Sequence, residues 1–286
     1  MEIHSNPAHM IGAPAIAKSK ALYPGYRLRD LRCRTGSAEV WEADDDGGET
    51  VALKFRPCAD SQSAARRIRS IQTVRQLDHP LLTRVHRVWC GPGCLVIATE
   101  LAEGSLLDLL TAYRTELGTP ISPEHVCHLL AQAAEILDFL NRPQHHVCGR
   151  RVAVQHRAVK PSNLLVVEDQ VKLADFGFAA VPHSSAEASH PPPPSPYGAP
   201  EALQGRVSDS SDQYALAVTY CLLRGDRLPF PEGPAAAEGD GGRPPPDLSM
   251  LSRDEQPIIR RALALIPYQR WPSCRELIAR LESVIS

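Results

Sequence analysis

A chain of 286 residues with 43% hydrophobic and 22% charged side chains has the apolar content for a sizeable core, and a net charge of −2 gives no reason to expect nucleic acid or an anionic membrane as a partner. No apolar run approaches the ~18 residues that a membrane helix needs, and the stretch MEIHSNPAHMIGAPAIAKSK lacks the basic start of a secretory signal, so a cytoplasmic address is expected. The eight cysteines are scattered through segments that otherwise read as core or loop, which suits a reducing compartment better than a disulfide framework.

Residues 1–25 read as an extension. After it, the short apolar or β-branched runs Ala38–Glu42, Val51–Phe55, Leu82–Trp89 and Leu95–Leu101 alternate with turn residues and predict a small sheet. Between the second and third runs, Ile68, Ile71, Val74 and Leu77 recur every three residues. That spacing predicts one helix over Ala64–Leu77 with its apolar face on the sheet and Arg66-Arg67-Ile68-Arg69 as a solvated face. Cys90 and Cys94 flank the turn Gly91-Pro92-Gly93, with no second pair nearby to complete a zinc site.

From Pro123 the texture changes. Val126, Leu129, Leu130, Ala133, Ile136, Leu137 and Leu140 follow helical spacing after the cap signal Ser122-Pro123-Glu124. His145-His146-Val147-Cys148 holds three potential ligands in four residues, short of a spaced tetrahedral set. Ala153–Val154, Leu164–Val167 and Val171–Leu173 read as small strands around the turn Glu168-Asp169-Gln170. Tyr214–Leu223, Gln256–Leu265 and Cys274–Val284 read as helices. His183–Pro196, with its run Pro191–Pro194, and Pro231–Pro246 read as extended loops; a four-proline run also has the form of a ligand for an aromatic groove.

Four short motifs fall in one order: Val51-Ala52-Leu53-Lys54 on a strand, His156-Arg157-Ala158 with Lys160 and Asn163, Asp175-Phe176-Gly177, and Ala199-Pro200-Glu201. One alone would be weak; four in this order are hard to obtain by chance. Here the chain resembles the protein kinase superfamily, and specifically the bacterial Ser/Thr kinases of eukaryotic type, from about Tyr26 to Ile285. Asp212 looks like the buried Asp of the large helix behind the catalytic loop, and Arg270 like the Arg that pairs with Glu201. The resemblance implies an α+β, bilobal fold: a small antiparallel β-sheet N-lobe with one helix over about 26–101, and a helical C-lobe over about 102–286.

Phosphoryl transfer is mostly positioning and charge stabilisation. The resemblance implies that Lys54 meets the α and β phosphates of ATP, that Asn163 and Asp175 hold Mg²⁺, and that Lys160 reaches the γ-phosphate. It makes Thr99 the gatekeeper and Glu100-Leu101-Ala102 the segment that meets adenine through its backbone. Val40, Ala52 and Leu165 become the apolar sandwich, positions that read equally well as plain core.

Three departures set the chain apart. Ala158 stands where the base is expected, and no Asp or Glu lies between Ala153 and Val167 to replace a group typically worth ~10² to 10⁴ in rate. No Glu occurs from Ser61 to Thr99; the helix position expected to pair with Lys54 falls near Arg67 or Ser70, so either the helix swings outward or Lys54 pairs with Asp175. The three glycine positions of the phosphate loop fall on Cys33, Thr35 and Ala38, with Gly36 as one flexible point, which lowers the expected nucleotide affinity. Arg157 matches an Arg that meets a phosphorylated loop residue, for which Ser184, Ser185, Ser189 and Ser195 are available; it reads as readily as a structural Arg. Three readings compete: a pseudokinase that binds a protein partner and weakly Mg-ATP, a weakly active Ser/Thr protein kinase, and a purely structural interaction domain.

Overall fold

The computed structural model describes residues 22–35, 38–58, 60–147, 149–177, 179, 195–206, 208–230 and 244–285. Gly36, Cys148, the serines at 184, 185 and 189, the run Pro191–Pro194 and most of the second proline-rich segment lie outside them. The chain divides into two units, one running to Gln76 and including Thr83–Ala102, the other made of Leu77–Leu82 and the chain from Glu103.

The first unit is an antiparallel sheet of five strands with one helix. Its strands are β1 (Tyr26–Thr35), β2 (Ala38–Asp45), β3 (Thr50–Pro57), β4 (Val85–Gly91) and β5 (Cys94–Glu100), in the order β1-β2-β3-β5-β4. Alternation along β3 decides its faces: Val51, Leu53 and Phe55 are buried, while Ala52 and Lys54 point to the other side. The helix α1 (Ser61–Arg75) lays Ile71 on Leu95 and Ile97. It starts a turn before the expected Ala64 because Asp60 caps it, accepting from Ser63 N at 2.6 Å. In the basic run, Arg69 is exposed while Arg66 and Arg67 are half-buried.

The opposite face has its own core, which the sequence pattern did not foretell. Val51, Leu53, Phe55, Val96 and Ala98 pack there with Leu22, Tyr23, Tyr26, Trp41 and Trp89. Trp89 Nε1 donates to Leu22 O at 2.8 Å and its ring stacks on Tyr26. Leu22 and Tyr23, which precede the expected boundary at Tyr26, are thus part of the sheet's packing. Strand β1 itself was not expected, because irregularities in its pairing at Leu28/Leu31 and Leu31/Cys33 break the two-residue period.

The second unit centres on α3 (Pro123–Asn141), capped by Ser122 and buried along Val126 to Leu140. It packs against α5 (Ser211–Gly225), α7 (Cys274–Ile285) and β10 (Gln170–Leu173). Helix α5 is buried nearly all round, as a central helix should be. Asp138, buried on α3, accepts the amides of Cys274 and Arg275 at 2.8 and 3.0 Å and so starts α7. Strands β6 (Gly104–Ser105), β9 (Leu164–Val167) and β10 form a small sheet, with Glu168 and Asp169 both left-handed in the β9–β10 turn. Helix α2 (Leu106–Ala112), continued by a π-helical turn at Tyr113–Leu117, was not expected, although Ser105 and Asp108 form a capping box that the sequence displays.

Other expectations need correction. The strand expected at Ala153–Val154 lies earlier, as β8 (Arg150–Val152) paired with β7 (His145–Val147), because the turn at Gly149 sets the register. Leu82, expected in a strand of the first unit, instead bridges Leu173 in the second, and β4 begins at Val85. The helix expected over Gln256–Leu265 is α6 (Glu255–Ala262), which ends before Leu265 and Ile266 as the chain approaches Pro267. Helix α4 (Pro200–Leu203) is one turn. Among the described residues no helix is long and apolar enough to cross a membrane.

Candidate functional site

In the second unit, the stretch from Gln155 to Asp175 is held by three buried polar side chains. Asp212, 1% exposed in the first turn of α5, accepts the amides of His156 at 2.7 Å and Arg157 at 2.8 Å. Burial pushes its carboxyl above the ordinary range, and His156 and the two amides oppose that shift. Burial pushes the His156 imidazole down, so the ring is neutral and carries its proton on Nε2, which donates to Ala174 O at 2.9 Å. Its ring meets the edge of Phe176.

Asn163 closes the loop. It ends a 3-10 turn begun by Pro161, donates from Nδ2 to Ala158 O at 2.7 Å, and accepts Ala174 N on its own carbonyl at 2.9 Å. Ala158, Asn163 and Ala174, the residue before Asp175, are therefore tied together, with half-buried Lys160 at the start of the turn. Arg157 (φ 63°) and Asp175 (φ 68°) both take the left-handed conformation that non-glycine residues avoid. Such strain persists only where surrounding bonds enforce it, as the two Asp212 bonds do at Arg157. Leu165 lies on β9 between Ser105 and Lys172, on the more open face from buried Leu164.

A second polar centre joins α4 to the loop before α7. Arg270, 3% exposed, donates from both terminal nitrogens to the two oxygens of Glu201, each at 2.8 Å. Ser208 and Ser211 also donate to Glu201 Oε1. Burial raises the Glu201 carboxyl, but the guanidinium and the hydroxyl outweigh it and hold the net value below the ordinary range.

In the first unit, pairing register sorts the expected nucleotide residues. Val40 and Ile97 sit opposite Lys54, and Thr99 sits opposite Ala52. Val40, Ala52, Lys54 and Thr99 therefore share the sheet face away from the Leu22 core, all four partly exposed. The Glu100 amide donates to Arg84 O at 3.0 Å and its side chain accepts Arg84 N at 2.7 Å, so both are engaged within the sheet; half-exposed Ala102 follows. Of the expected glycine positions, Cys33 pairs with Val40 and Thr35 with Ala38, all in ladder-paired extended backbone. Ala38 N donates to Thr35 Oγ1 at 3.1 Å. These positions accept side chains because none needs a left-handed φ.

The histidine cluster divides. His145 is 5% exposed, with Nε2 against Phe139 O at 2.8 Å and its ring on Phe139, whereas His146 is exposed. Among the described residues no group of three His, Cys, Asp or Glu side chains could hold a metal. Cys90 pairs with Leu95 and Gly91 with Cys94, which puts the two thiols on opposite faces; burial pushes Cys94 up to about 11.

Comparison with known proteins bears on this geometry. The family described as Protein kinase domain matches residues 35–279. The chain is 30% identical over 194 residues to CBL-interacting protein kinase 4 of Oryza sativa, covering 64% of this chain and 40% of that protein. It is 27% identical over 277 residues to serine/threonine-protein kinase PknJ of Mycobacterium tuberculosis, covering 90% and 44%. It is 31% identical over 238 residues to CBL-interacting serine/threonine-protein kinase 7 of Arabidopsis thaliana, covering 79% and 52%. The chain spans about half the length of these relatives.

Proposed function

The chain belongs to the protein kinase domain family, and from that premise we propose that it is a pseudokinase: a domain with weakened Mg-ATP binding and a regulatory or scaffolding role toward a protein partner. One observation carries the reading. The loop that bears Ala158 is held in full by Asp212 and Asn163, yet the side chain it presents at that point is a methyl group. A methyl group neither accepts a proton from a substrate hydroxyl nor orients it, and no carboxylate lies between Ala153 and Val167. The frame of the loop is kept and its base is not.

The remaining donors suit Mg-ATP. Asn163 spends its amide nitrogen on Ala158 O, which leaves Oδ1 as a hard oxygen that, with the Asp175 carboxylate, makes the donor pair that Mg²⁺ would use together with phosphate oxygens. Bound there, the ion would neutralise phosphate charge. Lys54 would contribute a cation to the α and β phosphates, Lys160 one to the γ-phosphate, and Val40, Ala52, Thr99 and Leu165 apolar contact to the base. Side chains at Cys33, Thr35 and Ala38 crowd the approach of backbone amides to phosphate, which weakens the affinity. Retention of Lys54, Lys160, Asn163 and Asp175 favours a second reading, a weakly active Ser/Thr protein kinase.

Thermal melting with millimolar ATP, with and without Mg²⁺, tests nucleotide binding: the proposal expects a Mg²⁺-dependent rise in Tm that Asp175→Ala abolishes. Transfer of labelled γ-phosphate to generic protein substrates separates the two readings. Turnover that disappears with Lys54→Ala would establish the weakly active kinase.

A further inference from the structure

Among the described residues five large apolar side chains are strongly exposed, and three of them, Leu265 (53%), Ile266 (40%) and Tyr268 (84%), fall within four consecutive positions between α6 and α7. A contiguous exposed set of this kind marks a contact surface more often than scattered single residues do.

The segment is clamped. Arg270 Nε donates to Ala264 O at 3.0 Å, Arg261 Nε to Gln269 O at 3.2 Å, and Ser210 Oγ to Pro267 O at 3.3 Å. Pro267–Gln269 form a 3-10 turn. Just beyond, Trp271 is fixed by its indole N–H on Ile258 O and by Gln213, with Arg261 at 4.0 Å over its ring. Because Arg270 is the buried partner of Glu201, the knuckle hangs from a buried, doubly hydrogen-bonded ion pair. A surface ordered in advance loses little conformational freedom on binding.

Charge selects the occupant. Arg260 and Arg261 end α6 beside the knuckle, both exposed, and among the described residues neither forms an ion pair with a carboxylate. Their basic neighbours are neutralised: Arg275 by Glu135 at 3.0 Å and Arg280 by Glu276 at 2.8 Å. The Glu255 carboxylate is turned inward to Tyr220 and Arg224. A second copy of the chain docked through the same patch would bring these arginines against their own equivalents across a two-fold axis, an arrangement that like charges oppose.

We propose that the Leu265–Tyr268 knuckle is a docking surface for an acidic amphipathic segment of a partner protein. Leu265, Ile266 and Tyr268 receive its apolar face, and Arg260 and Arg261 receive its carboxylates. The inference rests on this face alone and holds whether or not the chain binds nucleotide.

The test uses the full chain and two fluorescein-labelled helical peptides that share one leucine stripe and carry either Glu or Lys beside it, followed by anisotropy. The Glu peptide should bind at least about ten-fold more tightly than the Lys peptide. The pair Leu265→Ser/Tyr268→Ser should weaken it by about ten-fold or more, and Arg260→Gln/Arg261→Gln should narrow the gap between the peptides. Leu265 and Tyr268 are exposed, so Leu265→Ser/Tyr268→Ser should leave Tm unchanged and lost binding there is not lost folding; Arg260→Gln alone, which spares the Arg261 clamp, should narrow the gap in the same direction as the pair. No binding by the Glu peptide, equal binding by both peptides, or no effect of Leu265→Ser/Tyr268→Ser would overturn the proposal. So would sedimentation equilibrium that finds a dimer broken by those two substitutions, which would make the occupant a second copy.

Discussion

Arg34 Nε donates to Glu39 Oε1 at 2.8 Å across the β1–β2 hairpin, and the Glu39 side chain, which also accepts Trp41 Nε1 at 3.2 Å, has no exposure to solvent. The pair is the innermost rung of a ladder. Arg27 and Arg29 meet Asp44 at 2.6 and 3.0 Å, and Arg32 meets Glu42 at 3.4 Å. The arginines of the outer rungs are exposed, which makes those rungs individually weak. The Arg34–Glu39 rung differs because both its partners are largely shielded from solvent.

Removing Arg34 takes a cationic partner from that buried carboxylate. Arg34→Ala is expected to lower the unfolding free energy by about 3 kcal/mol, with Arg34→Gln/Glu39→Gln recovering most of the loss because no buried charge is left behind. Urea denaturation of the two variants decides it; equal stability of Arg34→Ala and wild type would mean that the rung is ornamental.

Asp212 supports the backbone before Ala158 in the same way. Asp212→Ala leaves the buried amides of His156 and Arg157 without an acceptor, and a loss of about 3 kcal/mol is expected from two such groups. Asp212→Asn keeps one acceptor and should cost less. Arg157→Gly relieves a left-handed φ and should stabilise by about 1 kcal/mol. A destabilised Arg157→Gly would show that the arginine side chain matters more than its backbone strain.

How much of this was legible in the sequence depends on which force made each feature. Apolar periodicity displayed α3 and the sheet-facing stripe of α1, because burial of one stripe shaped them. It missed β1, where four arginines and two pairing irregularities mask the alternation, and with it the core around Leu22 and Trp89. The placing of Glu201, Asp212 and Arg270 was readable only through the resemblance to the protein kinase superfamily, since buried ionic residues leave no hydropathy trace. The Arg34–Glu39 rung was invisible because it needs the strand register, and Leu265, the first residue of the knuckle, was read as helix because Leu263 and Leu265 continue an apolar run past the point where α6 ends.

The histidines set the acid limit of the fold. His79 Nδ1 accepts Leu81 N at 3.2 Å and its ring lies on Phe139, 4.6 Å between centroids, so the folded state needs it neutral. Burial lowers its pKa from the ordinary 6.5 against the opposing pull of Glu135 and Asp78, and burial lowers that of His156 likewise. A base whose folded pKa is depressed stabilises fully above its unfolded value and less below it. Stability should therefore fall as pH drops below 6.5, and again below 4.5, where the Glu201 carboxylate, held low against Arg270, takes up its proton. Urea midpoints from pH 8 to pH 4 check this, and His79→Phe should flatten the first decline; a midpoint independent of pH between 7 and 5.5 would contradict the assignment.

Ala158→Asp asks whether the proposed defect is one side chain. The backbone is already placed, because Asn163 Nδ2 holds the Ala158 carbonyl and Asp212 the two preceding amides, so an added carboxylate needs no new loop conformation. Transfer of labelled γ-phosphate should rise by about 10² over wild type, toward the lower end of what a positioned base contributes. The gain should stop there, because the phosphate hairpin still lacks its glycines. Ala158→Asn, of nearly the same shape without basicity, should remain at the wild-type level. A silent Ala158→Asp that still gives a Mg²⁺-dependent ATP melt would move the defect from this atom to the hairpin without glycine at positions 33, 35 and 38 and to the glutamate-free helix α1.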